Sequence, residues 1–168
     1  MLSSKKFAAI TLSLALSAAL SACGFQLRGS YALPYKTIFV TSSGSSIVAG
    51  QIRRELTDSQ TKLVSSMADA DAQLTITDER RERQILSLSG TGRVQEYEFR
   101  MKITYQAVTK SGTVLIPTSE ISLKRILPFK DQRIIENAQE EALMYTDMEK
   151  DAVGQILRRL IAVSRKPV

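Results

Sequence analysis

Residues able to do covalent or acid-base chemistry are few in this chain. Its 168 residues include no histidine and a single cysteine, Cys23. Lacking imidazole, the protein has neither the usual general base near neutral pH nor the commonest transition-metal ligand. Ser-His-Asp and Cys-His hydrolases are therefore excluded. A serine activated by a nearby lysine is the nucleophile chemistry left. Ser59-Gln60-Thr61-Lys62 has Ser-x-x-Lys spacing, and Lys110-Ser111-Gly112 loosely matches the Lys-Thr-Gly that accompanies it in Ser-Lys enzymes. Local pattern puts Ser59 at a helix end and Lys110 in a hairpin turn, and the domain is small for such an enzyme. Gly90-Thr91-Gly92 could open a phosphate loop, but Gln95 stands where the third glycine belongs and a strand pattern follows. The carboxylate pairs Asp69/Asp71 and Glu140/Glu141 lack spaced partners for metal or acid-base work. No catalytic residue, no metal and no cofactor are expected.

Cys23 is different. It follows Leu20-Ser21-Ala22, which ends an apolar run from Phe7 to Leu20 preceded by Lys5 and Lys6. Basic n-region, apolar h-region and small-residue cleavage site make a signal peptide. The run is short of the about 20 residues that a membrane span needs. Its last four residues resemble a lipobox, the bacterial signal for attaching diacylglycerol to a thiol and cleaving just before it. Cys23 is then expected to carry S-diacylglycerol on sulfur and an N-acyl chain on its freed amine. Each buried CH₂ contributes roughly 0.8 kcal/mol, and stable anchoring takes more than one chain. The expected organisation is a removed signal peptide at 1–22, a lipidated tether at 23–35 and one domain at 36–168. With its only thiol committed to lipid, the domain has no disulfide and must rely on a packed core.

Charge points to the partner class. The chain carries 23 Lys and Arg against 17 Asp and Glu. Removing residues 1–22 takes away Lys5 and Lys6 and leaves 146 residues with 21 bases, 17 acids and a net charge of +4. This mild bias fits an anionic lipid or polysaccharide; nucleic acid is not expected outside the cytoplasm. Lys124, Arg125, Lys130 and Arg133, opposed only by Asp131, give +3 over ten residues. They precede a long helical pattern, whose N-terminus favours anions. Arg93 lies beside a glycine turn. These five are the candidate contacts for the phosphates of a phosphorylated lipid, although a solvated surface explains each one singly as well. Asp78 to Arg83 holds three acids and three bases, so it is a poor anion site.

The elements that must carry these residues read as follows. Residues 24–35 form a tether packing through Phe25 and Leu27. Ile38, Phe39 and Val40 are a short strand, and Ser42 to Ser46 a loop with hydroxyls for helix capping. Val48, Ile52 and Leu56 recur every four residues, an amphipathic helix from Ile47 to about Ser59. A brief extended piece at Leu63-Val64 is followed by a strand from Asp71. There Leu74 and Ile76 alternate with polar residues, and Leu86 and Leu88 resume the same phase. The charged run between them requires a bulge or a strand running beyond the helical layer. Glycine turns flank a long strand in which Tyr97, Phe99, Met101, Ile103, Tyr105 and Ala107 share one face. Thr113 to Ile126 is a further strand with a bulge near Pro117. Ala138, Ala142, Tyr145, Met148, Ala152, Ile156, Leu160 and Val163 stripe a final helix. The order β-α-β-β-β-α predicts an α+β two-layer sandwich, two helices on a four-stranded, mainly antiparallel sheet.

Cys23-Gly24-Phe25-Gln26-Leu27-Arg28-Gly29 resembles the N-terminus of the LptE family of lipopolysaccharide-assembly lipoproteins, which often reads Cys-Gly-Phe-His-Leu-Arg-Gly. Gln26 departs from that pattern. Glu96-Tyr97 and Arg158-Arg159-Leu160 add to the likeness, and the element order agrees over the mature chain. The resemblance implies a non-enzymatic protein that complexes with the β-barrel LptD as plug and folding partner. It also implies lipopolysaccharide binding and help in assembling it at the outer membrane. The implied location is lipid-anchored, on the periplasmic side and within the barrel lumen. Gly24 at the +2 position permits outer-membrane sorting, where aspartate would favour the inner membrane. A lipoprotein adaptor of another envelope machine is the competing expectation, and a Ser-Lys periplasmic enzyme a more distant one.

Overall fold

The structure is a computed structural model that describes residues 33–57, 59–129 and 134–164. Strand β1 (Thr37–Ser42) leads to helix α1 (Ile47–Thr57), the two-residue strand β2 (Lys62–Leu63) and a short 3₁₀ turn (Met67–Asp69). Three long strands follow, β3 (Ala72–Leu88), β4 (Val94–Thr109) and β5 (Val114–Pro128), and then helix α2 (Ile134–Ser164). The sheet order is β2-β1-β3-β4-β5, with β1 parallel to β2 and β3 and the long strands antiparallel. The expected two-layer α+β fold is present. The sheet has five strands where four were expected, because Lys62 and Leu63 pair with Thr37 and Ile38.

Both helices lie on one face of the sheet. α1 buries Val48, Ala49, Ile52 and Leu56, and α2 buries Met148, Ala152, Val153, Ile156, Leu157 and Leu160. They close over Ile38, Val40, Leu74, Ile76, Met101, Ile103, Tyr105 and Ile116. The helical stripe departs from expectation in the first turns of α2. Ala138 and Ala142 are exposed there, and Asn137 is buried instead. Leu33 is buried and Tyr35 packs on the same core, so the packed body reaches back to residue 33. Phe25, Leu27 and Cys23 lie outside the described residues.

β1 pairs with β3 only as far as Ile76, so the remainder of β3 extends beyond β1. That extension, Asp78 to Leu88, is roughly 35 Å long at about 3.3 Å per residue. The molecule therefore has a base half, with both helices, and a tip half built from three strands and the start of α2. At the tip the aliphatic core gives way to rings. Phe129, Tyr97, Phe99 and Tyr145 form a chain of edge-to-face contacts with centroids 5.2, 6.3 and 5.5 Å apart. Arg83 lies over Tyr97 at 4.9 Å and Arg81 over Tyr145 at 5.2 Å, so guanidinium planes roof the rings where α1 is missing.

A one-residue bulge sets which charges face where. Ile76 is opposite Tyr105 but Asp78 is opposite Thr104, leaving Thr77 as the extra residue, its hydroxyl donating to the Thr104 carbonyl at 3.1 Å. Before Thr77 even-numbered residues face the helices; from Asp78 to Ile85 odd-numbered ones do, until further register shifts between Ile85 and Leu88. Leu86 and Leu88 thus do not resume the phase of Leu74 and Ile76, contrary to expectation. Both are exposed. The bulge expected near Pro117 is present: Tyr105 is opposite Ser119 and Ala107 opposite Ile116. Proline has no N–H to lose to a ladder, so it sits there at little cost.

Candidate functional site

The bulge at Thr77 separates the charged run into two rows with different tasks. Glu79, Arg81 and Arg83 turn toward the helices. Glu79 Oε2 accepts from the Ser46 hydroxyl at 2.6 Å and the Val48 N–H at 3.2 Å, closing the first turn of α1 from across the sheet. Ser46 itself caps that helix by accepting from the Ala49 N–H. Arg81 donates to Glu149 of α2 at 2.6 Å, and Glu149 also accepts from Gln51 of α1, so one largely buried carboxylate ties both helices to β3. Arg83 reaches Glu141 at 3.0 Å. Burial raises the Tyr145 phenol above its ordinary pKa of 10.0, and Glu141 adds to this. Arg81, Tyr145, Glu149, Ala138 and Ala142 line an open groove of about 500 Å³ beside the tip half of β3.

Asp78, Arg80 and Glu82 turn to the helix-free face. Register places Arg80 beside Lys102 and Ser122, and Glu82 beside Arg100 and Lys124. Asp78 pairs with Arg80 at 2.8 Å, and Glu98 accepts from Arg100. The described anion candidates are divided by this geometry. Lys124 is exposed on the helix-free face, whereas Arg125, its neighbour on the strand, points to the helices and binds Asp151 at 2.9 Å. Consecutive strand residues face opposite ways, so the linear cluster does not become one patch. Arg93 is exposed at the tip, just after the β3–β4 turn, where Gly92 adopts φ 77°. Lys130 and Arg133 lie outside the described residues. Arg100 and Lys102 share this face by simple alternation along β4, and Arg80 joins them only because of the Thr77 bulge on β3.

The serine-lysine candidate finds no support in this geometry. The Ser59 hydroxyl donates to the Leu56 carbonyl at 2.7 Å and accepts the Thr61 N–H, terminating α1. β1 and β3 stand between Lys62 and the strand leading to Lys110. Among the described residues no group of acids, cysteines or histidines is arranged to hold a metal ion. Asp71 has a structural use: it accepts the Thr37 N–H at 3.0 Å while its own N–H donates to the Thr37 hydroxyl. The hydrogen bond from the Thr37 backbone leads the causes that lower its pKa below 3.8.

The fold defines a class, a two-layer α+β domain whose sheet, among the described residues, carries helices on one face only. Comparison with solved structures finds the same fold in lipoprotein B of Nitrosomonas europaea, 36% identical with a TM-score of 0.74, covering 84% of this chain and 92% of that one. The rare lipoprotein B of Shewanella oneidensis (21% identity, TM-score 0.65, 76% and 96% covered) shares the fold. So does a minor lipoprotein of Acinetobacter baumannii (20%, 0.62, 80% and 99%). No curated protein matches the sequence. The family model described as LptE, lipopolysaccharide-assembly, matches residues 35–160, and the chain belongs to that family.

Proposed function

We propose that this protein is an outer-membrane lipoprotein, anchored by acyl chains on Cys23, that complexes with the β-barrel LptD as its plug and folding partner. In that complex it binds lipopolysaccharide and assists its assembly at the cell surface. Family membership over residues 35–160 is the observation that carries this reading. The side chains support a binding role over a catalytic one, since the candidate nucleophile and acids make structural hydrogen bonds. Polarity along the molecule also fits. Residue 33, where the described chain starts, packs at the base, and the exposed Arg93 stands at the opposite tip. A lipid-anchored plug of this shape directs its tip away from its own bilayer attachment.

Purification of the lipidated protein from outer membranes tests the reading directly. A large β-barrel is expected to accompany it, and its absence would overturn the plug assignment in favour of another envelope machine. Charge reversal at Lys124, Arg125 and Lys130 is expected to weaken lipopolysaccharide binding and its salt sensitivity. Unchanged affinity would remove those three as contacts. Ser59→Ala is expected to leave function intact, and a loss with the fold retained would revive the Ser-Lys alternative.

A further inference from the structure

The outermost long strand combines an open backbone edge with a charge pattern that fits one partner. β5 ends the order β2-β1-β3-β4-β5, so among the described residues no strand pairs with its outer side. The Phe129 N–H donates to the Gln95 carbonyl at 2.7 Å, in register with Glu96 opposite Pro128. That couple is a hydrogen-bonded pair, and such pairs alternate with non-hydrogen-bonded ones along an antiparallel ladder. Odd-numbered residues from Ser119 to Leu127 therefore turn their backbone groups to β4. Glu120, Ser122, Lys124 and Ile126 turn theirs outward. The Lys124 carbonyl accordingly accepts from the guanidinium of its own neighbour, Arg125, at 2.9 Å. The side chains of those four outward residues are exposed on the helix-free face, while Ile121 and Leu123 between them face the helices at 8% exposure.

Charge and proline commonly blunt a free edge, and Pro117 and Pro128 bracket this one. The charges between them are more selective than a block. Glu120 and Lys124 have opposite signs and lie symmetrically about Ser122. Among the described residues neither has an opposite charge within 4.0 Å. Consider a second β5 laid antiparallel along this edge. Centring the pair on Ser122 sets each Glu120 directly opposite the other copy's Lys124, with the outward N–H and C=O groups meeting. Centring on Glu120 or on Lys124 sets like charges opposite. Centring on Ile121 or Leu123 leaves each charge facing Ser122, Thr118 or Ile126. The Ser122 register alone pairs opposite charges, and it also sets Ile121 opposite Leu123 on the helix side.

We propose that β5 is a homodimerisation edge, on which a second copy of this chain pairs antiparallel with Ser122 at the two-fold axis. Edge pairing of this length buries less than the about 1,200 Å² of a standard interface, so the dimer is reversible. It belongs to the protein without its barrel and does not rest on the reading above.

Cysteine trapping tests the register, with the parent protein as control for its single cysteine, Cys23. The probe is the full-length protein in detergent, freed of lipopolysaccharide and of any barrel. Ser122→Cys is expected to give a disulfide-linked dimer on oxidation, since Cα atoms of a hydrogen-bonded pair lie about 5.5 Å apart, within disulfide range. Ile126→Cys should stay monomeric, because in this register the two copies of residue 126 are about 26 Å apart. Adding Lys124→Glu to Ser122→Cys should slow crosslinking about tenfold. Adding Glu120→Lys as well should restore the rate, because the reversed pair is again complementary. No dimer from Ser122→Cys, or equal crosslinking from Ile126→Cys, would overturn the proposal. So would a rate indifferent to Lys124→Glu, or one that Glu120→Lys fails to restore.

Discussion

Glu149 and Asp71 show how single carboxylates hold this fold together by different physics. Glu149 is 7% exposed in its side chain and accepts from Arg81 on the sheet and Gln51 on α1. Removing one member of a buried pair strands the other without its partner. Since Arg81 keeps 31% exposure, water relieves part of the loss. Glu149→Ala is expected to cost about 2 kcal/mol in chemical denaturation. Replacing both, as Arg81→Met/Glu149→Leu, should recover most of it. A double variant no better than the single one would show that the pair is not coupled. Asp71 is exposed, and its pKa is depressed mainly by the Thr37 backbone hydrogen bond. A carboxyl with a lowered folded pKa stabilises the protein above its unfolded value and loses that contribution as pH falls through the folded one. Asp71→Asn should therefore lower stability at neutral pH and flatten its decline below pH 3.8. An unaltered acid limb would contradict the assignment.

Among the elements, β3 decides most. The Thr77 bulge turns Glu79 to the N-terminus of α1 and Arg81 to α2, and sends Arg80 and Glu82 to the open face. Deleting Thr77 would exchange the two rows, pressing Asp78, Arg80 and Glu82 against the helices while expelling their present partners. Loss of cooperative thermal unfolding and of near-ultraviolet dichroism is the expected result. A deletion variant melting like the parent would mean that the bulge had moved along the strand. The apolar side of the same sheet is simpler. Ile156 of α2 is fully buried over it, and Ile156→Ala should cost about 2–5 kcal/mol in denaturant unfolding. Much of the fold was readable at this scale. Strict alternation from Tyr97 to Ala107 marked β4, and four-residue spacing from Val48 to Leu56 marked α1. The charged run signalled a bulge but not its position, because a one-residue slip leaves composition unchanged while reversing every side chain after it.

At the scale of the whole molecule, asymmetry is the main feature. The base half has two helices over an aliphatic core, and the tip half has one helix over aromatic rings roofed by arginines. No described helix is long and apolar enough to cross a membrane. On the proposed reading, membrane attachment therefore falls to Cys23. Cys23→Ala is expected to release the protein from the membrane fraction after carbonate washing, since its acyl chains are the attachment. Retention in the membrane would show that the barrel holds the protein unaided. The candidate site was less legible than the fold. Lys124 and Arg125 are adjacent in sequence yet face opposite ways, and the cations that join Lys124 come from Arg80, Arg100 and Lys102 on two other strands.

Local chemistry, read along the chain, determined what this protein can be. The missing histidine removes the common catalytic triads, Leu20-Ser21-Ala22-Cys23 resembles a lipidation signal, and period-two and period-four patterns specify an α+β sandwich. These conclusions hold before folding because each depends on residue type or on neighbours a few positions away. Which charges meet was decided only by tertiary structure. Pairing between β3, β4 and β5 depends on register shifts, among them those at Thr77 and near Pro117, and each shift reverses the facing of the residues up to the next one. The same six charged residues, neutral in sum, thereby became an internal brace on one face and a mixed row of two acids and one base on the other.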